Sequence, residues 1–206
     1  MKDINMRNIL IFTFISICSF GQDNRWEDKY NGYVVTLENI RIKGYLRLET
    51  GDLTRGKKIL LLKKPNDNPQ IFYSRELKGY VYKKDTFKII QNLQPYLDDT
   101  KVIERAEAKI IDRGKLTLFE IPVQYYSTIP MFGVGTVGSM RALKTEYVYV
   151  IADTKNELIG VKKENFNEEL SILLKDAPEI LERINNKELR FKNLDKIVKE
   201  YNKKFR

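Results

Sequence analysis

The sequence predicts an α+β protein: a mostly antiparallel β-sheet, forming a curved sheet, a sandwich or a partial barrel, followed by two to three amphipathic helices. Short runs rich in Val, Ile, Leu, Tyr and Phe recur from Tyr33 to about Lys163, with turn residues between them, as is typical of successive strands. From about residue 164 onward, apolar residues recur with the helical period instead. We therefore expect residues 22–206 to form one β-rich domain that ends in helices.

The strand predictions depend on alternating apolar runs that end in turn-forming residues. The turns are clearest at residues 65–69, 113–114 and 152–156, because Pro, Gly, Asn and Asp favour the backbone angles of tight turns. The candidate strands are Tyr33–Leu37, Ile40–Glu49, Lys58–Lys64, Gln70–Ser74, Gly79–Tyr82, Lys101–Asp112, Lys115–Tyr126, Thr145–Ala152 and Glu157–Lys163.

The C-terminal stretch carries three apolar stripes that predict helices packed against the sheet. Asp176 is expected to cap the second helix, with Pro178 in its first turn and Glu179 completing a cap-like pair. The stripes consist of Phe166, Leu170, Leu173 and Leu174; of Ile180, Leu181 and Ile184; and of Leu194, Ile197, Val198 and Tyr201.

Residues 1–21 read as a cleavable export signal. Lys2 and Arg7 precede an apolar run that is shorter than the roughly 20 residues a membrane-spanning helix needs. Small residues at Ser19 and Gly21 predict cleavage before Gln22. We expect an exported protein, in the periplasm, associated with the outer membrane or secreted, with no permanent transmembrane segment. The other interpretations of this segment are lipidation at Cys18 and a buried first element of the domain.

Composition favours a folded protein with anionic partners. The chain has 37 Lys and Arg against 28 Asp and Glu, which gives a net charge of +9. Because an exported protein rarely meets nucleic acid, the expected partners are envelope components such as anionic lipid head groups or glycans, or a protein. Paired lysines are the candidate anionic-surface site, although such pairs also mark solvated strand ends. They are Lys57 and Lys58, Lys63 and Lys64, and Lys83 and Lys84.

Catalytic and metal chemistry have few candidate residues in this chain. It has no histidine, and its one cysteine, Cys18, lies in the predicted signal. Histidine-dependent catalysis and zinc sites built from His and Cys are therefore excluded for residues 22–206. We predict no cofactor, no metal site and no catalytic residue, and leave open whether the protein is an enzyme.

A glycine-rich segment formally matches the GxGxxG pattern of dinucleotide-binding loops. A strand instead of a helix is predicted downstream, so a glycine-rich hairpin or loop is the favoured interpretation. A second interpretation is a mobile apolar lip over a binding site. The residues of this possible mobile loop are Met131, Phe132, Gly133, Gly135 and Gly138.

Acidic and aromatic groups elsewhere suggest structural roles. Asp98-Asp99 and the turn at residues 66–68 lack the convergent geometry of glycosidase or calcium sites. Tyr125-Tyr126 and the pair Tyr147 and Tyr149 fall on facing candidate strands. Cross-strand packing is the favoured interpretation of these tyrosines, and ligand stacking is the other.

The C-terminal stretch resembles a loose group of small exported bacteroidete-type proteins of unassigned activity. In that group a β-rich part precedes a helical ending with an aspartate–proline turn and a closing Tyr-Asn pair. The resemblance implies export and fold but no activity, and Ala177 stands where the group often has cysteine. The matching residues are Phe166, Leu170, Asp176, Pro178, Leu181, Leu194, Ile197, Val198, Tyr201 and Asn202.

The sequence therefore favours a non-enzymatic binding protein of the cell envelope or the medium. The first alternative is a carrier of lipids or small apolar ligands, with the sheet curved around a cavity. The second alternative is an enzyme that acts on glycans or peptides through carboxylates.

Overall fold

A computed structural model of the chain describes residues 30–52, 55–64, 67–93, 103–133 and 136–206. Within them the predicted fold class is confirmed: a 10-stranded antiparallel sheet that is not closed precedes three α-helices. The predicted signal at residues 1–21 lies outside the described residues. The strands are Tyr30–Val35 (β1), Arg41–Asp52 (β2), Gly56–Leu62 (β3), Gln70–Tyr73 (β4), Gly79–Tyr82 (β5), Asp85–Leu93 (β6), Ile103–Arg113 (β7), Thr117–Gly133 (β8), Thr136–Ala152 (β9) and Leu158–Val161 (β10).

The strands lie in the order β10-β9-β8-β7-β6-β5-β1-β2-β3-β4. Most neighbours are consecutive hairpins, and β5 lies between β1 and β6. Short 3-10 helices, Ser74–Glu76 and Phe191–Asn193, connect β4 to β5 and precede the last helix. Because β5 returns beside β1, residues that are far apart in the chain meet on one face of the sheet.

The first strands curl until β3 reaches β7. Lys57 Nζ of β3 lies 2.5 Å from Glu107 Oε1 of β7, although four strands separate β3 from β7 in the sheet order. Arg105 of β7 also donates to the backbone oxygen of Arg75, at 2.5 Å. The curl encloses a core of Val34, Leu46, Ile59, Leu61, Leu77 and Tyr80.

The helices are Phe166–Leu173 (α1), Pro178–Asn185 (α2) and Leu194–Lys204 (α3), and they pack on the β7–β10 end of the sheet. The predicted apolar stripes face this core, and Leu118 of β8 and Ile151 of β9 complete it. No helix among the described residues has both the length and the apolar character that crossing a membrane requires.

The prediction that Asp176 caps α2 is wrong. Ala177 is the N-cap residue and makes no side-chain cap hydrogen bond. The Asp176 carboxylate instead accepts a hydrogen bond of 2.8 Å from Tyr201 Oη and pairs with Lys115. These partners from α3 and the β7–β8 turn compete successfully with the nearby backbone amides, so Asp176 joins elements instead of starting one.

Asn202 locks α3 onto the β7–β8 turn. Its side chain is buried, and its Oδ1 accepts from Leu116 N at 2.9 Å. Its Nδ2 donates to Leu116 O at 2.8 Å and to Asp112 Oδ2 at 2.6 Å. The Tyr-Asn pair of the C-terminal stretch therefore has a structural role.

Candidate anion-binding groove

A groove of about 230 Å³ crosses the sheet face opposite the helices. Leu118 and Ile151 point into the helix-covered core, whereas their neighbours Phe119 and Ala152 line the groove. This division follows because successive residues of a strand point to opposite faces. The groove takes residues from β1, β5, β6, β7, β8 and β9 and from the turn after β9.

The groove combines a buried apolar floor with polar walls. Phe119 is 2% exposed and Ala152 is 5% exposed. Tyr33 lies at the β1 side, and Thr86 and Thr117 add hydroxyl groups among the lining residues. A ligand in this groove can therefore meet both an apolar surface and hydrogen-bond donors.

The charged residues that line the groove are cations. Lys78, Lys88 and Arg113 line it, and none of the described lining residues is Asp or Glu. Lys88 Nζ lies 5.8 Å from the centroid of the Phe119 ring, so the ammonium group stands over the floor. Lys88 makes no ion pair with any residue in the described ranges. An anion beside Lys88 would therefore meet a positive charge that has no described carboxylate partner.

Three carboxylates on these strands point away from the groove and have partners on the other face. Asp85 of β6 pairs with Lys109 at 2.9 Å. Glu107 of β7 pairs with Lys57, and Glu120 of β8 accepts from Tyr149 Oη at 3.2 Å. Alternation along the strands thus separates paired charges on one face from the groove cations on the other.

Two tyrosines beside these carboxylates stay protonated. Burial raises the pKa of Tyr149, and the Glu120 charge raises it further. Burial also raises the pKa of Tyr80, with a further contribution from Glu107. The Tyr80 hydroxyl lies near Glu107 but makes no hydrogen bond of good geometry to a described residue. Neither phenol is therefore suited to act as a base at neutral pH.

The structure places the six candidate lysines in three different places. Lys57 and Lys58 begin β3 and are paired with Glu107 and Glu49, the latter at 3.1 Å. The other two pairs lie in turns and make no ion pair with a described residue. Lys63 and Lys64 follow β3, Lys83 and Lys84 connect β5 to β6, and Lys83 Nζ stands 4.2 Å above the Tyr30 ring.

The glycine-rich segment forms a β-hairpin, as the favoured interpretation predicts. Met131, Phe132 and Gly133 lie in β8, and their partners Gly138, Val137 and Thr136 lie in β9. A strand follows, not the helix that a dinucleotide-binding loop requires. Gly135 lies outside the described residues, and the mobility of this segment stays a prediction.

Asp67 and Asn68, the described members of the acidic turn candidates, are not among the groove-lining residues. Asp98, Asp99 and Asn66 lie outside the described residues. In the described part of the chain, no group of three His, Cys, Asp or Glu residues could hold a metal ion.

The predicted packing of the tyrosine pairs across β8 and β9 is wrong in register. Tyr125 pairs with Lys144, whereas Tyr147 lies opposite Pro122. Tyr149 instead contacts the Phe191 ring, with 5.8 Å between ring centroids. The strands do face each other, but the tyrosines fall at different levels along them.

In comparisons with known proteins, no family model, curated protein or solved structure matches this chain. The class of protein is therefore defined by its own architecture: an open antiparallel sheet with a helical layer on one face and a basic groove on the other.

Proposed function

We propose that the protein is an exported binding protein that holds a small anionic group attached to an apolar or aromatic body. The observation that carries the proposal is the position of Lys88, whose ammonium group stands over the buried Phe119 ring in a groove whose described lining includes no carboxylate. The proposal does not require catalysis.

Comparison with other lysines of the same sheet supports this assignment. Lys57, Lys58 and Lys109 each have a carboxylate partner. Lys88 and Lys43 of β2 have none among the described residues, but Lys43 does not line the groove, whereas Lys88 does, together with Arg113. Hydrogen bonds between a charged lysine or arginine and an anion are stronger than those between neutral groups. An anionic ligand would therefore gain most binding free energy beside Lys88 and Arg113.

The apolar part of the ligand is inferred from the floor. The Phe119 ring closes the floor but is almost fully buried already. The apolar surface open to a ligand is that of Tyr33 and Ile110, which are half-buried and line the groove. A bare inorganic anion would leave these surfaces unused, whereas a phosphate or carboxylate joined to a ring or an alkyl group would cover them.

Export is part of the proposal and is tested separately. The leader pattern of residues 1–21 and the net charge of +9 support a protein that works among the anionic polymers and lipids of a cell envelope. The protein isolated from the extracytoplasmic fraction of expressing cells is expected to begin at Gln22. Recovery of an uncleaved chain in the cytoplasm would remove the export proposal.

Calorimetric titration with phenyl phosphate, inorganic phosphate and benzyl alcohol tests the groove. Phenyl phosphate is expected to bind most tightly because it offers both an anion and a ring. Lys88→Gln should lower the affinity for phenyl phosphate about tenfold, the loss expected for one charge-assisted hydrogen bond. Lys196→Gln, an exposed position on α3, is the matched control.

Equal effects of the two substitutions, or no binding of phenyl phosphate, would contradict the groove as an anion site. A loss of binding on substituting Lys63, Lys64, Lys83 and Lys84 together, with Lys88→Gln silent, would favour the turn lysines instead. The carboxylate-dependent enzyme gains no support from the part of this groove that the structure describes, since Asp and Glu are absent from that lining.

A further inference from the structure

We propose that the anion held in the groove is the head group of an anionic lipid and that Leu37 and Ile40 enter the lipid surface beside it. This inference rests on the proposed anion-binding function and specifies that the anionic group belongs to a lipid. The observation that carries it is a pair of exposed aliphatic side chains on a hairpin turn at the edge of the groove.

The turn between β1 and β2 presents apolar side chains on an ordered backbone. Leu37 is 43% exposed and Ile40 is 58% exposed. Thr36 N donates to Ile40 O at 3.0 Å, and Asn39 N donates to Thr36 O at 3.1 Å. Because these bonds satisfy backbone groups within the turn, its tip can leave water at a lower cost.

Two hydrogen bonds join this turn to the groove. Lys78 N donates to Val35 O at 2.9 Å, and Lys78 Nζ donates to Asn39 Oδ1 at 2.8 Å. Lys78 and Val35 both line the groove. A tip inserted among acyl chains would therefore hold the groove at the level of the head groups.

A third exposed apolar residue lies at the other end of the groove. Leu158 is 37% exposed and pairs in register with Ala152, which lines the groove. Asn156, in the turn before Leu158, and Arg113 lie at this end too. Apolar groups at both ends with cations between them match the chemistry of an anionic lipid surface, where buried apolar area and electrostatic attraction add.

Glu38 limits how deeply the tip enters. The Thr36 side chain accounts for the largest lowering of the pKa of this carboxyl, and the positive charge of Lys78 adds a smaller one. Glu38 is therefore ionised at neutral pH and stays with the head groups. Shallow insertion agrees with a ligand whose charged group is held by Lys78, Lys88 and Arg113.

Vesicle partitioning of the full chain tests the inference, because any contribution of residues 1–21 is then common to all variants. Binding to phosphatidylcholine vesicles is expected to rise when phosphatidylglycerol is added and to fall with salt. The double variant Leu37→Ser, Ile40→Ser should bind the anionic vesicles about tenfold more weakly. Ile172→Ser, at 62% exposure on α1, is the matched control and should bind as the wild type does.

A tryptophan at the tip reports insertion directly. With Trp26→Phe as background, Ile40→Trp should show blue-shifted emission and protection from acrylamide on adding anionic vesicles. Ile172→Trp, on the helical side, should show neither. An unchanged spectrum for Ile40→Trp, or equal shifts at both positions, would overturn the inference.

The phenyl phosphate titration separates this inference from the proposed function. A tip variant that keeps its affinity for phenyl phosphate but no longer binds vesicles supports insertion of the tip into a lipid surface. Wild-type protein that binds phenyl phosphate but not vesicles overturns the lipid inference and leaves the anion site standing, whereas binding to neither removes both. A dimer in vesicle-free solution that the double tip substitution abolishes would assign the tip to a second copy of the chain and overturn the lipid inference.

Discussion

Lys88 and Lys115 each hold an ammonium group near aromatic rings, but on opposite faces of the sheet. Lys115 Nζ lies 3.8 Å from the Phe205 ring centroid and pairs with Asp176, whereas Lys88 Nζ lies 5.8 Å from the Phe119 ring and has no described carboxylate partner. Lys115 is thus paired within the fold, whereas Lys88 is the cation that we propose meets a ligand. This contrast predicts that substitutions on the helix-covered face reduce stability, whereas those in the groove reduce the proposed binding.

The largest test of this comparison is Asn202→Ala on the helix-covered face. The substitution removes the buried amide that pairs with both backbone groups of Leu116. We expect the free energy of unfolding to fall by about 3 kcal/mol, because buried polar groups lose their partners. Urea denaturation measures the change, and Asn185→Ala, at an exposed position of α2, is the control. A loss no larger than that of the control would show that Asn202 does not lock α3.

Gly114→Ala sharpens the same comparison. A Cβ at Gly114 would lie 2.5 Å from Asn202 Cγ, so the lock must shift to admit it. We expect a loss of about 2 kcal/mol in the free energy of unfolding. In the Asn202→Ala background the amide atoms at 2.5 and 2.7 Å are gone and only Cβ, at 2.8 Å, remains. The double variant should therefore lose less stability than the sum of the two single losses. Strict additivity in a double-mutant cycle would contradict the packing argument.

The fold was predictable from sequence where local signals agree. β5 has the predicted bounds, and the stripes of Leu170, Ile180 and Ile197 are buried as expected. β6 was not predicted because Ile89 and Ile90 are both buried, which removes the simple alternation that marks a strand. The glycine-rich segment between residues 133 and 138 favours a hairpin or loop, which hides how far β8 and β9 extend on either side of it.

The groove could not be predicted because it depends on register between distant strands. Lys88 comes from β6, Phe119 from β8 and Tyr33 from β1, and no spacing along the chain brings them together. The paired lysines give a stronger local signal, yet Lys57 and Lys58 are already neutralised by carboxylates. Charge that lacks a partner is visible only once the strands are aligned.

A smaller effect is expected from Asp176→Asn, and it depends on pH. The hydrogen bond from Lys115 lowers the pKa of Asp176 most, and that from Tyr201 lowers it further. A carboxyl with a lowered folded-state pKa stabilises the fold above its unfolded pKa and loses that contribution as pH falls through the folded value. The gap in stability between wild type and Asp176→Asn should therefore be constant above about pH 5 and shrink below about pH 4. Denaturation across this range measures it, with Glu182→Gln as the control, and a constant gap throughout would contradict the assignment.

The smallest effect on stability is expected from Lys88→Gln. Lys88 is exposed at its strand position and has no ion pair with a described residue, so its removal should change the free energy of unfolding by no more than about 0.5 kcal/mol. The same substitution should weaken the binding of phenyl phosphate. Lys88 would then affect binding and not stability, whereas Asn202 affects stability. If Lys88→Gln destabilised the fold as Asn202→Ala does, the lysine would be satisfying a structural contact. The two faces of the sheet would then not differ in role.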